Sequence, residues 1–92
     1  LQGGLKIVVD NSNETLNTTN WYFGYGASIQ SSKSGVEAIQ KLSLGGFDAA
    51  IILEEKMQKQ IFEINQKVIK KILTVPLTNI ANYKKVSIYK IE

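Results

Sequence analysis

Apolar residues form four short runs along the chain, and each run has the length of a β-strand. The runs cover residues 5–9, 26–30, 47–53 and 85–91. The first and third are continuous and rich in Val, Ile and Ala, which is typical of strands buried on both faces. The last alternates between apolar and polar positions and predicts a half-exposed strand.

Polar residues between these runs carry the signals of two helices. Asn11 and Glu14 have the spacing of a capping box, but the Thr- and Asn-rich segment that follows favours only a short or irregular helix. Ser34 and Glu37 form a second capping box, and Gly45 ends the apolar stripe that follows it. These signals predict one weak and one well-defined helix.

A third helix is predicted over residues 54–72. Its apolar positions step by four, three, four and four residues, with lysines and glutamines between them: Met57, Ile61, Ile64, Val68 and Ile72. Pro76 follows this segment and is expected to end the region.

The resulting order is β-α-β-α-β-α-β, which predicts a three-layer α/β domain. We expect a mostly parallel sheet of about four to five strands flanked by helices. Ligands of such sheets bind outside the carboxyl ends of the strands, near the helix N-termini. The sequence therefore predicts a ligand-binding rim, and its candidate residues follow three strands: Asp10, Asn11, Ser12, Asn13, Ser31, Ser32, Glu54 and Glu55.

Composition narrows the possible chemistry. The chain of 92 residues has no Cys and no His, and its 11 basic residues are all Lys. Thiolate metal sites, a Ser-His relay and a guanidinium clamp are therefore excluded, and we expect neither catalysis, a metal nor a cofactor. The net charge of +3 comes from scattered lysines, which disfavours nucleic acid as a partner.

Several segments resemble the second lobe of type 2 periplasmic solute-binding proteins. The segment "GLKIVVDNSN" is similar to the strand and loop that open this lobe, and "LSLGGFDAAI" resembles its helix, glycine and G-x-D-A strand. The segment "PLTNIANYKKVSIYK" is similar to its later proline loop and edge strand. The resemblance implies that residues 1–92 form one lobe of a two-lobed protein.

The family resemblance also implies a function and a place of action. The lobe would bind a small, amino-acid-like solute in the periplasm or outside the cell and deliver it to a membrane transporter. Its partners would be the solute, the second lobe of the same parent chain, and the transporter or receptor. The chain begins with Leu1 rather than Met, so we expect a processed piece of a longer protein. It has no apolar run of the ~20 residues that span a bilayer, and membrane anchoring through the parent protein is an option.

Alternatives stay open at this stage. Glu54 and Glu55 also suit the first turn of a helix, where acids complement the helix dipole. Ser12 and Asn13 also suit a turn and cap. The aromatic residues at 21–25 are interpreted as core packing, with a stacking platform as the alternative. A sensor domain of a membrane receptor or kinase has the same fold, and an enzyme lobe is a further alternative.

Overall fold

A computed structural model of the chain describes residues 4–53, 59–77 and 85–92. These residues form one sheet and two helices. In chain order the elements are β1 (Lys6–Val9), α1 (Asn13–Phe23), β2 (Ser28–Ser31), α2 (Gly35–Leu44), β3 (Ala49–Leu53), β4 (Ile61–Ile64), β5 (Lys67–Pro76) and β6 (Lys85–Ile91).

The described part of the sheet has six strands in the order β2-β1-β3-β6-β5-β4. Strand β1 pairs in parallel with β2 and β3, while the β3–β6, β6–β5 and β5–β4 pairs are antiparallel. The predicted fold class, a three-layer domain with a mostly parallel sheet and flanking helices, is therefore wrong. The protein is a mixed α/β domain in which a parallel unit of three strands continues into an antiparallel unit of three.

The error comes from the third predicted helix. Its described part is a β-hairpin, in which Ile64 and Lys67 pair across a two-residue turn. The turn residues Asn65 and Gln66 both have positive φ, 54° and 62°, as a type I′ hairpin turn requires. The β-branched residues on both sides of the turn fit a pleated sheet, so strand pairing prevails over the helical spacing.

Helices α1 and α2 pack against opposite faces of the sheet. Ala38, Ile39 and Leu42 of α2 cover a cluster of buried strand residues: Val8, Ala50, Ile52, Ile69 and Tyr89. Leu16 and Phe23 of α1 lie against the other cluster: Ile7, Val9, Ala49, Ile51, Leu53, Val86 and Ile88. The core thus consists of two apolar layers, one on each side of the sheet.

Strand β6 lies inside the sheet, between β3 and β5. Val86, Ser87, Ile88 and Tyr89 are all fully buried. The expectation of a half-exposed strand is therefore wrong over residues 86–89, because the polar position there is Ser87, which is small enough to be buried with the apolar residues. The edge position that the family resemblance implied is also wrong, since β6 pairs with a strand on each side.

The helix caps agree in part with the sequence. Ser34 caps α2 by accepting from the Glu37 N–H at 3.2 Å, and Gly45 ends this helix with a φ of 99°, as predicted. Helix α1 is regular over 11 residues rather than short or irregular, and its N-cap is Ser12 instead of Asn11. Asn11 has a φ of 98° and turns the chain out of β1 before the helix begins.

Candidate functional site

The carboxyl ends of the parallel strands lie side by side at one edge of the sheet. Val9 of β1 is level with Ser31 of β2 and Ile51 of β3. Helices α1 and α2 both begin at this edge, after Ser12 and Ser34. We call this edge, formed by residues 10–13 and 31–32, the rim.

The structure brings six of the eight predicted site residues to the rim. Asp10, Asn11, Ser12 and Asn13 connect β1 to α1, and Ser31 and Ser32 end β2 and lead toward α2. Glu54 and Glu55 lie outside the described residues. The role of all eight in ligand contact stays a prediction.

Asp10 is only 4% exposed, and its carboxylate accepts four hydrogen bonds. Oδ1 accepts from the Ser12 N–H at 3.0 Å and from the hydroxyls of Ser12 and Thr15 at 2.9 Å. Oδ2 accepts from the backbone N–H of Leu53 at 2.7 Å. This carboxylate therefore ties the start of α1 to the end of β3.

The four bonds give Asp10 a structural role at the rim. Its negative charge lies next to the N-terminus of α1, where it complements the helix dipole. The same charge opposes an anionic group brought close to that N-terminus.

Ser32 is the unusual residue of the rim. It is 4% exposed, and its Oγ has no hydrogen-bond partner within the described residues. Its backbone N–H donates to the Val9 carbonyl at 2.7 Å, which places Ser32 beside the end of β1. A buried hydroxyl without a partner is costly, and a ligand atom that bonds it removes that cost.

The other rim residues are accessible to solvent. Asn11, Asn13 and Ser31 are exposed, and Ser12 is half-buried. Their amide and hydroxyl groups lie along the connections that follow β1 and β2. These groups offer donors and acceptors to the solvent, whereas the Ser32 hydroxyl and the Asp10 carboxylate are buried beside them.

Sequence reasoning missed the surface of α1. Trp21, Tyr22 and Tyr25 are 72%, 44% and 88% exposed, so their interpretation as core residues is wrong. Phe23 is half-buried and packs against the sheet. The sequence did carry a signal for the buried face of α1, namely the spacing of its threonines. Residues 15, 18 and 19 share one helix face, and they are the residues that α1 buries.

A groove of about 410 Å³ runs between α1 and the end of β5. One wall is formed by Glu14, Asn17, Thr18 and Trp21, and the other by residues 75–77. Glu14 belongs to the first turn of α1, so the groove starts beside the rim and extends along the helix.

The described residues contain no helix long and apolar enough to cross a membrane. Comparisons with protein-family models, with curated proteins and with solved structures found no match to this chain.

Proposed function

We propose that this chain is the ligand-binding lobe of an extracytoplasmic solute-binding protein. The solute is small, polar and amino-acid-like, and it binds at the rim. A second lobe of the parent chain closes the site from the other side, and the loaded protein delivers the solute to a membrane transporter. The alternative is a sensor domain of a membrane receptor, which would bind a solute in the same way.

The observation that carries the proposal is the buried hydroxyl of Ser32. Two helices of ten and eleven residues begin at the same edge. Helix N-termini present backbone N–H groups, and Ser32 adds a side chain whose Oγ has no partner within the described residues. A small solute with both donors and acceptors satisfies groups of this kind.

Charge narrows the class of solute. Residues 4–53 contain three lysines and four acids, so the segment that forms the rim has a formal charge of 3 − 4 = −1. Asp10 is one of these four acids, and its carboxylate lies at the base of the rim. An ammonium group is favoured there, which fits an amino acid or an amine better than an inorganic anion.

The test is a titration of the isotopically labelled chain, followed by amide chemical shifts. The panel contains neutral amino acids, small amines, acetate and phosphate. We expect amines or amino acids to shift the amide signals of Asn13 and Ser32 in a saturable way, while the anions leave them unchanged. Shift titrations detect millimolar dissociation constants, which suits a single lobe.

A pair of serine variants supplies the control. Ser32→Ala removes a hydroxyl that has no partner within the described residues, so it should weaken solute binding by about threefold to tenfold without lowering the free energy of unfolding. Ser28→Ala changes an exposed serine of β2 that lies outside the rim and should leave binding unaltered. The proposed function is wrong if no member of the panel shifts a rim amide at tens of millimolar. It is also wrong if Ser32→Ala binds the solute as tightly as the control variant does.

A further inference from the structure

Helix α1 buries polar side chains and exposes an aromatic one, although Leu16 and Phe23 also pack against the sheet. It buries Thr15, Thr18 and Thr19 against the sheet and leaves the indole of Trp21 72% exposed. Tryptophan has the largest apolar surface of any residue, and the fold makes little use of it here. An exposed aromatic side chain at the wall of a groove is typical of a binding site.

The polar side chains of the groove lie in line with this indole. Glu14, Asn17, Thr18 and Trp21 follow one another at helical spacing on one side of α1. The opposite wall, residues 75–77, is Val-Pro-Leu and apolar. The volume of about 410 Å³ falls within the range of small-molecule sites.

A groove with an exposed indole, polar side chains in line with it and an apolar opposite wall favours a ligand that is apolar on one face and polar at its edges. A pyranose ring has that character, because its axial C–H groups form an apolar face and its hydroxyls point outward. The positively polarised C–H groups are attracted to the electron-rich face of an indole. Carboxylate, amide and hydroxyl groups accept and donate hydrogen bonds to sugar hydroxyls.

Other occupants fit less well. The groove has no lysine among its lining residues and has one carboxylate, which disfavours phosphates and other anions. Trp21 is the one aromatic ring among these lining residues, whereas cages for quaternary ammonium groups and grooves for proline-rich peptides use several. We therefore propose that the α1–β5 groove binds a neutral saccharide, with one pyranose face stacked on Trp21 and its hydroxyls bonded to Asn17 and Glu14.

Trp21 also makes the site directly observable, because it is the single tryptophan of the chain. The experiment titrates the chain with maltose, cellobiose and N,N′-diacetylchitobiose and records the indole emission. We expect at least one disaccharide to cause a saturable blue shift as the indole leaves water. The amide shifts of Asn17 and Trp21 should move with the same dissociation constant.

Variants separate stacking and hydrogen bonding from nonspecific effects. By amide shifts, Trp21→Ala should weaken saccharide binding by on the order of tenfold or more, and Trp21→Tyr should restore part of it. Asn17→Ala should weaken binding by about threefold to tenfold. Tyr25→Ala removes a ring that is more exposed than Trp21 and does not line the groove, and it should leave binding unchanged.

Three results would overturn this inference. The first is no response to any of the three disaccharides at tens of millimolar. The second is a response only to vesicles of anionic phospholipid or to a proline-rich peptide, which are added as separate arms. The third is equal weakening by Tyr25→Ala and Trp21→Ala. The inference does not depend on the rim, since the Ser32 and Trp21 readouts report different residues and either can fail alone.

Discussion

Replacement of Asp10 by asparagine tests a buried carboxylate that accepts four hydrogen bonds from described residues. The substitution keeps the size of the side chain but converts one carboxylate oxygen into an NH₂ group. All four partners of Asp10 are donors, and they approach both oxygens. An amide has only one oxygen and therefore cannot accept hydrogen bonds at both positions. At the other position its NH₂ group faces another hydrogen-bond donor.

The magnitude follows from the bonds that are lost. The asparagine oxygen keeps the three donors of Ser12 and Thr15, so the NH₂ group faces the backbone N–H of Leu53. A hydrogen bond to a charged acceptor contributes about 1.5–3 kcal/mol, and an unsatisfied buried donor costs about 1–3 kcal/mol. Because the two terms overlap, we expect Asp10→Asn to lower the free energy of unfolding by about 2–4 kcal/mol, out of about 5–14 kcal/mol for a chain of this size.

The assay is urea denaturation followed by circular dichroism, with an expected fall in midpoint of about 1–3 M. Asp48→Asn is the matched control. Asp48 is exposed and its Oδ2 accepts one bond, from the Lys6 N–H at 2.8 Å, which an amide oxygen can also accept. Its loss of stability should stay below about 1 kcal/mol. Equal effects of the two variants would refute the role assigned to the Asp10 carboxylate.

Three further substitutions test other parts of the fold by the same denaturation assay. Ser34→Ala removes the N-cap of α2 and should cost about 1 kcal/mol; no change would mean that this cap does not hold the helix. Gly45→Ala places a side chain at a φ of 99° and should cost about 1–3 kcal/mol, whereas Gly26→Ala, where an added Cβ meets nothing within 4 Å, should be nearly neutral. Tyr89→Phe removes a buried hydroxyl that donates to the Lys59 carbonyl and should cost about 0.5–1.5 kcal/mol; a stabilised variant would contradict that bond.

Local signals in the sequence were sufficient for helix α2. Its cap at Ser34 and its stop at Gly45 depend on hydrogen bonds within a few residues, and the chain carries both as recognisable residue types. The buried strands β1 and β3 were equally clear, because continuous Val, Ile and Ala runs have few other uses in a chain of this length. The rim follows from these elements, since the crossovers through α1 and α2 are what place the ends of β1, β2 and β3 together.

The segment from 61 to 76 shows where local signals are ambiguous. Isoleucine and valine at intervals of three and four satisfy a helical stripe, and the same residues suit two strands when a turn interrupts them. The decisive residues are Asn65 and Gln66, because Asn is one of the few side chains that adopts a positive φ readily. The Asn65 side chain also donates to the Ser43 hydroxyl of α2 at 2.8 Å, a contact across 22 positions of sequence.

The surroundings of the buried polar groups could not be predicted from the sequence, for a related reason. Nothing near Asp10 in the sequence indicates Leu53 as a partner, because that bond spans 43 positions and exists only once β3 lies beside β1. The absence of a partner for Ser32 within the described residues is likewise a property of its surroundings, which the adjacent Ser31 does not share.

The amino-acid order alone specifies the elements that depend on short-range forces: the capped helix, the glycine stop and the two buried strands. Packing in three dimensions sets the rest, namely the central position of β6, the hairpin from 61 to 76, and which polar and aromatic side chains face inward. The physical reason is that burial and strand pairing sum over residues distant in sequence. Those long-range terms outweigh propensities of a few tenths of a kcal/mol per residue, so Trp21 remains in solvent while three threonines of the same helix are buried.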